Sequence, residues 1–234
     1  MNNQSLFDFG SYNFDKNCYY DRTLFGQHTN AKRNLMGLID LINRLFEYHS
    51  RLLVVRVDLS YRTDCQTLIT IDDVQKHRDL LLADRRENSK VFNGLVGYAW
   101  GLEFGEQDGG YHYHLLAIYN GAIRMDDIGI GLAICSLWAE ITNYYGRTYV
   151  SNFDKKMLAQ NGCLGIGMIH RSDVQMRINL IEKVAAYITK KCSIFDAESG
   201  RTESGSFRNF GRSWMPRALD ITRPRRGRPP TLFN

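Results

Sequence analysis

The run YHYHLLAIY, residues 111–119, restricts the fold more than any other segment, because it is β-prone and apolar on both of its alternating faces. A strand of that kind must be covered on both sides, which places it in the middle of a sheet. A partner lies just upstream. LVGYAWGLEFG, residues 95–105, is also β-prone, and the EQDGG between them carries an Asp and paired glycines that favour a turn. The two runs are expected to form a central β-hairpin.

Around this hairpin the patterning alternates between helix and strand. Leu35, Leu38, Ile39, Ile42, Leu45 and Phe46 recur at helical spacing and predict an amphipathic helix over about residues 31–48. RLLVVRVDLSY follows with period two: Leu53, Val55, Val57 and Leu59 on one face, Val54, Arg56, Asp58 and Ser60 on the other. Thr70 caps a charged helix that carries Val74, Leu80, Leu81 and Leu82. Asp126 or Asp127 starts another helix, with Ile128, Leu132, Cys135, Leu137, Trp138 and Ile141 as its apolar face. CLGIGMIHR reads as a short strand, and Ser172 as the N-cap of a helix bearing Val174, Ile178, Ile181, Val184, Ala185 and Ile188. The stretch DAESGRTESGSFRNFGRSW is polar and rich in Gly and Ser, and is read as a loop. The fold class is therefore α+β: a central antiparallel sheet of about four to five strands, with the hairpin central and helices mainly on one face. The chain divides into an irregular, aromatic and Asn-rich arm (1–30), one domain (31–216) and a basic tail (217–234).

Composition narrows the function classes. A net charge of +5 says little when spread evenly, but Arg217, Arg223, Arg225, Arg226 and Arg228 in the tail face one acid, Asp220, and make a cationic arm suited to a polyanion. Five scattered cysteines without C-x-x-C spacing argue against a disulfide framework and a cysteine-ligated zinc site. With no apolar run of ~18–20 residues and no signal-peptide pattern, a cytoplasmic protein without membrane partners is expected.

The chemistry concentrates in two places. Residues two apart on a strand point the same way, so His112 and His114 present two imidazoles about ~7 Å apart along one face. If the turn is centred on residues 107 and 108, Glu103 lies across from His112, and Gly101 lies across from His114 and leaves access open. Two nitrogens and one carboxylate with open positions suit Mg²⁺ or Mn²⁺ engaged with a phosphate, and zinc is compatible too. The bland alternative is one satisfied polar histidine on a half-exposed face and one incidental histidine. The second place is EKVAAYITKK, where Lys183, Lys190 and Lys191 fall at helical offsets around Tyr187. Neighbouring cations favour a phenolate, the nucleophilic form, and also hold a phosphodiester. The alternative is an amphipathic helix whose ring covers the edge of the core while the lysines face water.

These elements, in this order, resemble the HUH endonucleases, the rolling-circle replication initiators and their transposase relatives. His112-Tyr113-His114 matches that superfamily's histidine, hydrophobic residue, histidine motif, Tyr187-Ile188-Thr189-Lys190 matches its Y-x-x-K helix, and VVRVDLSY loosely matches its early strand. Glu103 falls where many replication initiators place an acidic third ligand. VVRVDLSY, AAYITKK and FGRSWMP look more closely like filamentous-phage replication initiators and prophage proteins with a YagK/YfjJ-type C-terminal domain, over about residues 35–216. One departure is plain: the position four before Tyr187 is Lys183, where the larger phage initiators carry a second tyrosine.

The resemblance implies a divalent metal, Mg²⁺ or Mn²⁺, held by His112, His114 and Glu103, with Tyr187 attacking a phosphate of single-stranded origin DNA. A 5′-phosphotyrosine and a free 3′-hydroxyl would result, able to rejoin or to prime replication, with a host helicase or polymerase as further partners. Lys190 would steady the phosphate, and Lys183 and Lys191 would contact the DNA backbone. Asp58 either supports the metal shell or only pairs with Arg56 or Arg62. In the tail, Arg226-Gly227-Arg228-Pro229 resembles an AT-hook core, so Arg223, Arg225, Arg226 and Arg228 either enter an A·T-rich minor groove or hold DNA by charge alone. Two rival classes stand beside this: a non-catalytic DNA-binding regulator on the same fold, and a metal hydrolase of small molecules. The latter leaves the tyrosine helix and the tail without a role.

Overall fold

A computed structural model describes residues 29–83, 89–105, 110–190, 201–202, 205–206 and 208–217. Residues 1–28 of the expected arm, Lys191 and the tail residues Arg223, Arg225, Arg226 and Arg228 lie outside this set.

In chain order the elements are α1 (Thr29–Tyr48), β1 (Arg51–Tyr61), a 3₁₀ turn (Thr63–Leu68), α2 (Ile71–Ala83), α3 (Ser89–Phe92), β2 (Leu95–Gly105), β3 (Gly110–Asn120), α4 (Asp127–Ile141) and β4 (Gly146–Val150). A second 3₁₀ turn (Ser151–Asp154), α5 (Lys155–Gln160) and β5 (Gly167–His170) come next. They lead into one helical stretch made of α6 (Val174–Asn179), a π-helical segment (Leu180–Ala185) and α7 (Ala186–Thr189). The two-residue strands β6 (Arg201–Thr202) and β7 (Gly205–Ser206) pair with each other, and β8 (Phe210–Arg212) returns to the main sheet. Helix α1 starts two residues earlier than expected, and β8 arises inside the segment read as a loop. β4 and α5 had no clear sequence signature.

The expected α+β architecture is present. The main sheet is antiparallel, ordered β4-β1-β3-β2-β8, with β5 also pairing with β1. The hairpin register runs from Gly105 opposite Gly110 to Leu95 opposite Tyr119, with one irregularity between Leu95 and Gly97. On its outer edge, β1 is shared: residues 51–54 pair with β5 and 57–61 with β4. Asn152 closes the gap between these two partners. Its buried amide accepts from the Arg56 N–H and donates to the Val54 carbonyl, both at 2.9 Å, so a side chain stands in for the missing strand.

Helices cover both faces, which corrects the expectation that they lie mainly on one. Leu53, Val55, Val57, Leu59, Trp100, Leu102, Tyr113 and Leu115 form one core with Val74 and Leu81 of α2 and Ile130, Ile134 and Trp138 of α4. Leu52, Val54, Ala99, Leu116 and Ile118 form the other with α1 and the α6–α7 stretch. The doubly apolar β3 requires both layers, and each fully buried aliphatic side chain contributes about 1.5–3 kcal/mol.

α4 buries Ile130, Ile134, Leu137 and Trp138, whereas Leu132 is exposed. This helix is apolar nearly all round, so its periodicity did not select a face; the Trp138 Nε1–H, which donates to the Ser60 carbonyl at 3.0 Å, does. Thr70 caps α2 as expected, exchanging hydrogen bonds with Asp73. In α2 only Val74 and Leu81 are buried, and Leu80 is exposed. The cap of α6 is Asp173, not Ser172, and Val174 is exposed at the helix start. Among the described residues, no helix is long and apolar enough to cross a membrane.

Candidate metal centre

One half of the α1-side sheet face is packed under α1 and α6–α7. The other half carries polar groups. His112 and His114 project from β3, Glu103 from β2 directly opposite His112, and Asp58 from β1 directly opposite His114. Period-two geometry and strand register alone bring these four together. Ligand atoms of Glu103, His112 and His114 all lie within 4.8 Å of one another. Glu103 Oε2 is 3.2 Å from His112 Nε2 and 3.2 Å from His114 Nε2.

The donor set fits a divalent cation. His114 Nε2 is fully buried and makes no aligned hydrogen bond, which is unusual for a buried ring nitrogen. Its other nitrogen, Nδ1, donates to Asp58 Oδ1 at 2.6 Å. A carboxylate on the far nitrogen is the usual way to fix a ligating imidazole's tautomer and orientation. Asp58 is bound in turn by Arg56 at 3.5 Å, while Arg62 pairs with Asp64. Asp58 thus contacts both His114 and Arg56.

Charge is strongly coupled here. Burial works to raise the Glu103 carboxyl, but His112, His114 and Lys190 outweigh it and hold the group far below the usual carboxylate range. Burial likewise opposes a charged His114, yet Asp58 and Glu103 prevail and push its pKa up.

The tyrosine helix reaches this centre. The Tyr187 ring packs edge-on against His114 with centroids 4.8 Å apart, and Lys190 Nζ lies 3.8 Å from the Tyr187 centroid and 3.0 Å from Glu103 Oε1. Burial pulls the Lys190 pKa down, but Glu103 and then Tyr187 more than compensate, so it stays charged. Of the lysines expected around the phenol, Lys190 lies over the ring, Lys183 falls in the π-helical segment just before it, and Lys191 lies outside the described residues. The second cation is Arg56, whose guanidinium carbon sits 4.5 Å from the ring centroid. Its position on the Asp58 face of β1, two residues away, was the available signal.

Gly101 has a different role from the one expected. A Cβ there would lie 2.3 Å from the Ile188 carbonyl, so the space opposite His114 is filled by the backbone of α7 rather than left open. The glycine permits the approach that sets Tyr187 on His114. Tyr113, between the two histidines, points into the opposite core, as alternation requires.

An antiparallel sheet layered by helices, with a His/His/Glu cluster on its polar half-face and a tyrosine helix against it, defines a class of α+β protein with a candidate divalent-metal centre. The chain matches the YagK/YfjJ C-terminal domain family over residues 15–213 and belongs to it. A search of curated proteins found no significant match.

Proposed function

We propose that this protein is an HUH-type single-strand DNA endonuclease and ligase, which nicks and joins origin DNA through a 5′-phosphotyrosine and so initiates rolling-circle replication. The observation that carries the reading is the convergence of Tyr187 and Lys190 on the Glu103, His112 and His114 cluster from a separate element. A core-edge tyrosine needs no such neighbours.

His112, His114 and Glu103 would hold a divalent cation, Mg²⁺ or Mn²⁺, which when bound would supply positive charge for a scissile phosphate. Asp58 keeps a proton on His114 Nδ1, which leaves Nε2 its lone pair. Tyr187 Oη bonds to phosphorus while the bond from phosphorus to the 3′-oxygen breaks. The phenol loses its proton and the 3′-oxygen departs as a hydroxyl. Lys190 and Arg56 hold positive charge beside the ring, where the phenolate and phosphate develop negative charge. With one tyrosine, the reverse attack by a 3′-hydroxyl rejoins DNA. Lys183, and outside the described residues Lys191 and the tail arginines, would add backbone contacts.

The test is a detergent-resistant adduct between the full chain and single-stranded oligonucleotides in Mn²⁺. Wild type should form it and Tyr187→Phe should not; an adduct from the variant overturns the assignment. Tight binding without any adduct from wild type would instead indicate a non-catalytic regulator.

A further inference from the structure

The metal centre continues sideways across the sheet. Tyr149 on β4 is directly opposite Asp58 on β1, which is directly opposite His114, so the three share one row on one face. Arg147 is opposite Ser60 in the next row, and the ladder extends one step further where the Arg62 N–H donates to the Tyr145 carbonyl at 2.9 Å. Along this edge strand, alternation sets Arg147 and Tyr149 on the same side, while Val150 is buried on the other; Tyr145, one residue before the strand, continues the ladder through its bond to Arg62 and falls two positions from Arg147. Tyr145 is 43% exposed and Tyr149 49% exposed. Arg147 is exposed and makes no ion pair among the described residues.

Two exposed phenols flanking an exposed guanidinium, on a sheet face that runs into a phosphate-directed centre, have the chemistry of a single-strand platform: rings for bases and a cation for the backbone. The nearby acids are already engaged. Asp58 is held by His114 and Arg56, and Asp154 accepts from the Tyr149 hydroxyl at 2.5 Å, which also steadies that ring. Two strand spacings, about 10 Å, separate the Tyr149 and His114 backbones, so the surface adjoins the reacting phosphate.

We infer that Tyr145, Arg147 and Tyr149 form a binding platform for single-stranded DNA, holding the nucleotides next to the scissile phosphate. The inference builds on the proposed nicking activity for its direction, but the platform is tested by binding alone. The probe is a fluorescein-labelled oligothymidylate of about 16 nucleotides, compared with an abasic strand of equal length and a duplex.

Replacing Tyr145 and Tyr149 together by Ala should weaken oligothymidylate binding by about 5- to 150-fold per stacked base, with little change for the abasic strand or the duplex. Tyr149→Phe, which keeps the ring and loses the Asp154 bond, should bind nearly as wild type. Arg147→Ala should weaken both single strands and reduce the salt slope by about 0.7. Unchanged oligothymidylate binding in the double Ala variant overturns the platform, as does an equal loss on duplex. If wild type forms the Tyr187 adduct while these variants bind normally, the platform fails and the nicking activity stands. If no adduct forms but the double variant loses single-strand affinity, the platform stands without the nicking activity.

Discussion

Asp58 shows how much one residue's meaning depends on its neighbours. Its alternation on β1 marked a polar face, but only pairing with β3 puts it on His114 Nδ1, at 2.6 Å. Replacing Asp58 by Asn keeps the shape while weakening the carboxylate's hold on the imidazole. Mn²⁺ affinity measured by calorimetry should fall by about 10- to 100-fold, and an unchanged affinity would mean that Asp58 only pairs with Arg56. His77 offers a pH test remote from the metal. It lies 2.9 Å from the Tyr61 hydroxyl, and burial pushes its pKa down, with Lys76 adding to that and Asp73 opposing it. A histidine whose folded pKa is lowered stabilises the fold fully above its unfolded value of about 6.5, and loses that contribution as pH falls through it toward the folded value. Denaturant titrations at stepped pH should therefore show His77→Gln with a shallower acid loss than wild type.

At the scale of elements, the approach of α7 to β2 decides whether the tyrosine meets the metal ligands. A Cβ at Gly101 would clash with the Ile188 backbone, so Gly101→Ala forces the Ile188 carbonyl away. Overpacking of this kind costs about 1–3 kcal/mol. The specific outcome expected is loss of adduct formation with Mn²⁺ affinity retained, because the ligands sit on β2 and β3 while the tyrosine sits on α7. Loss of both together would show that the sheet itself had been disturbed. The π-helical segment belongs to this scale too. Helical spacing in EKVAAYITKK was readable, but a local change of period was not, since it depends on how Leu180, Val184 and Ala185 fit the second core.

Across the whole molecule, the centre joins two adjacent strands through its ligands and a third through Asp58, so an ion that binds only the native state should stabilise the entire sheet. At about 100 times its dissociation constant, that linkage amounts to about 2.7 kcal/mol. In a domain of this size the midpoint of thermal unfolding should rise by about 5–10 °C with Mn²⁺ and return on chelation. No shift, or the same shift in His112→Ala with His114→Ala, would argue against a metal at this position.

What the amino-acid order determined by itself was whatever repeats with a fixed period: the two-faced β3, the hairpin, α1, and the pairing of Glu103 with His112 once the turn was centred. Those follow from local geometry, because period two and a short turn leave one register that buries the apolar residues. Only the tertiary structure decided the rest. The second helical layer, β4 and β8 on the sheet edges, Asn152 in the gap beside β1, Arg56 over the Tyr187 ring and the filled space above Gly101 all join residues far apart in the chain. Such contacts are set by which surfaces remain to be covered after the strands have paired, a property of the assembled layers that no single segment carries.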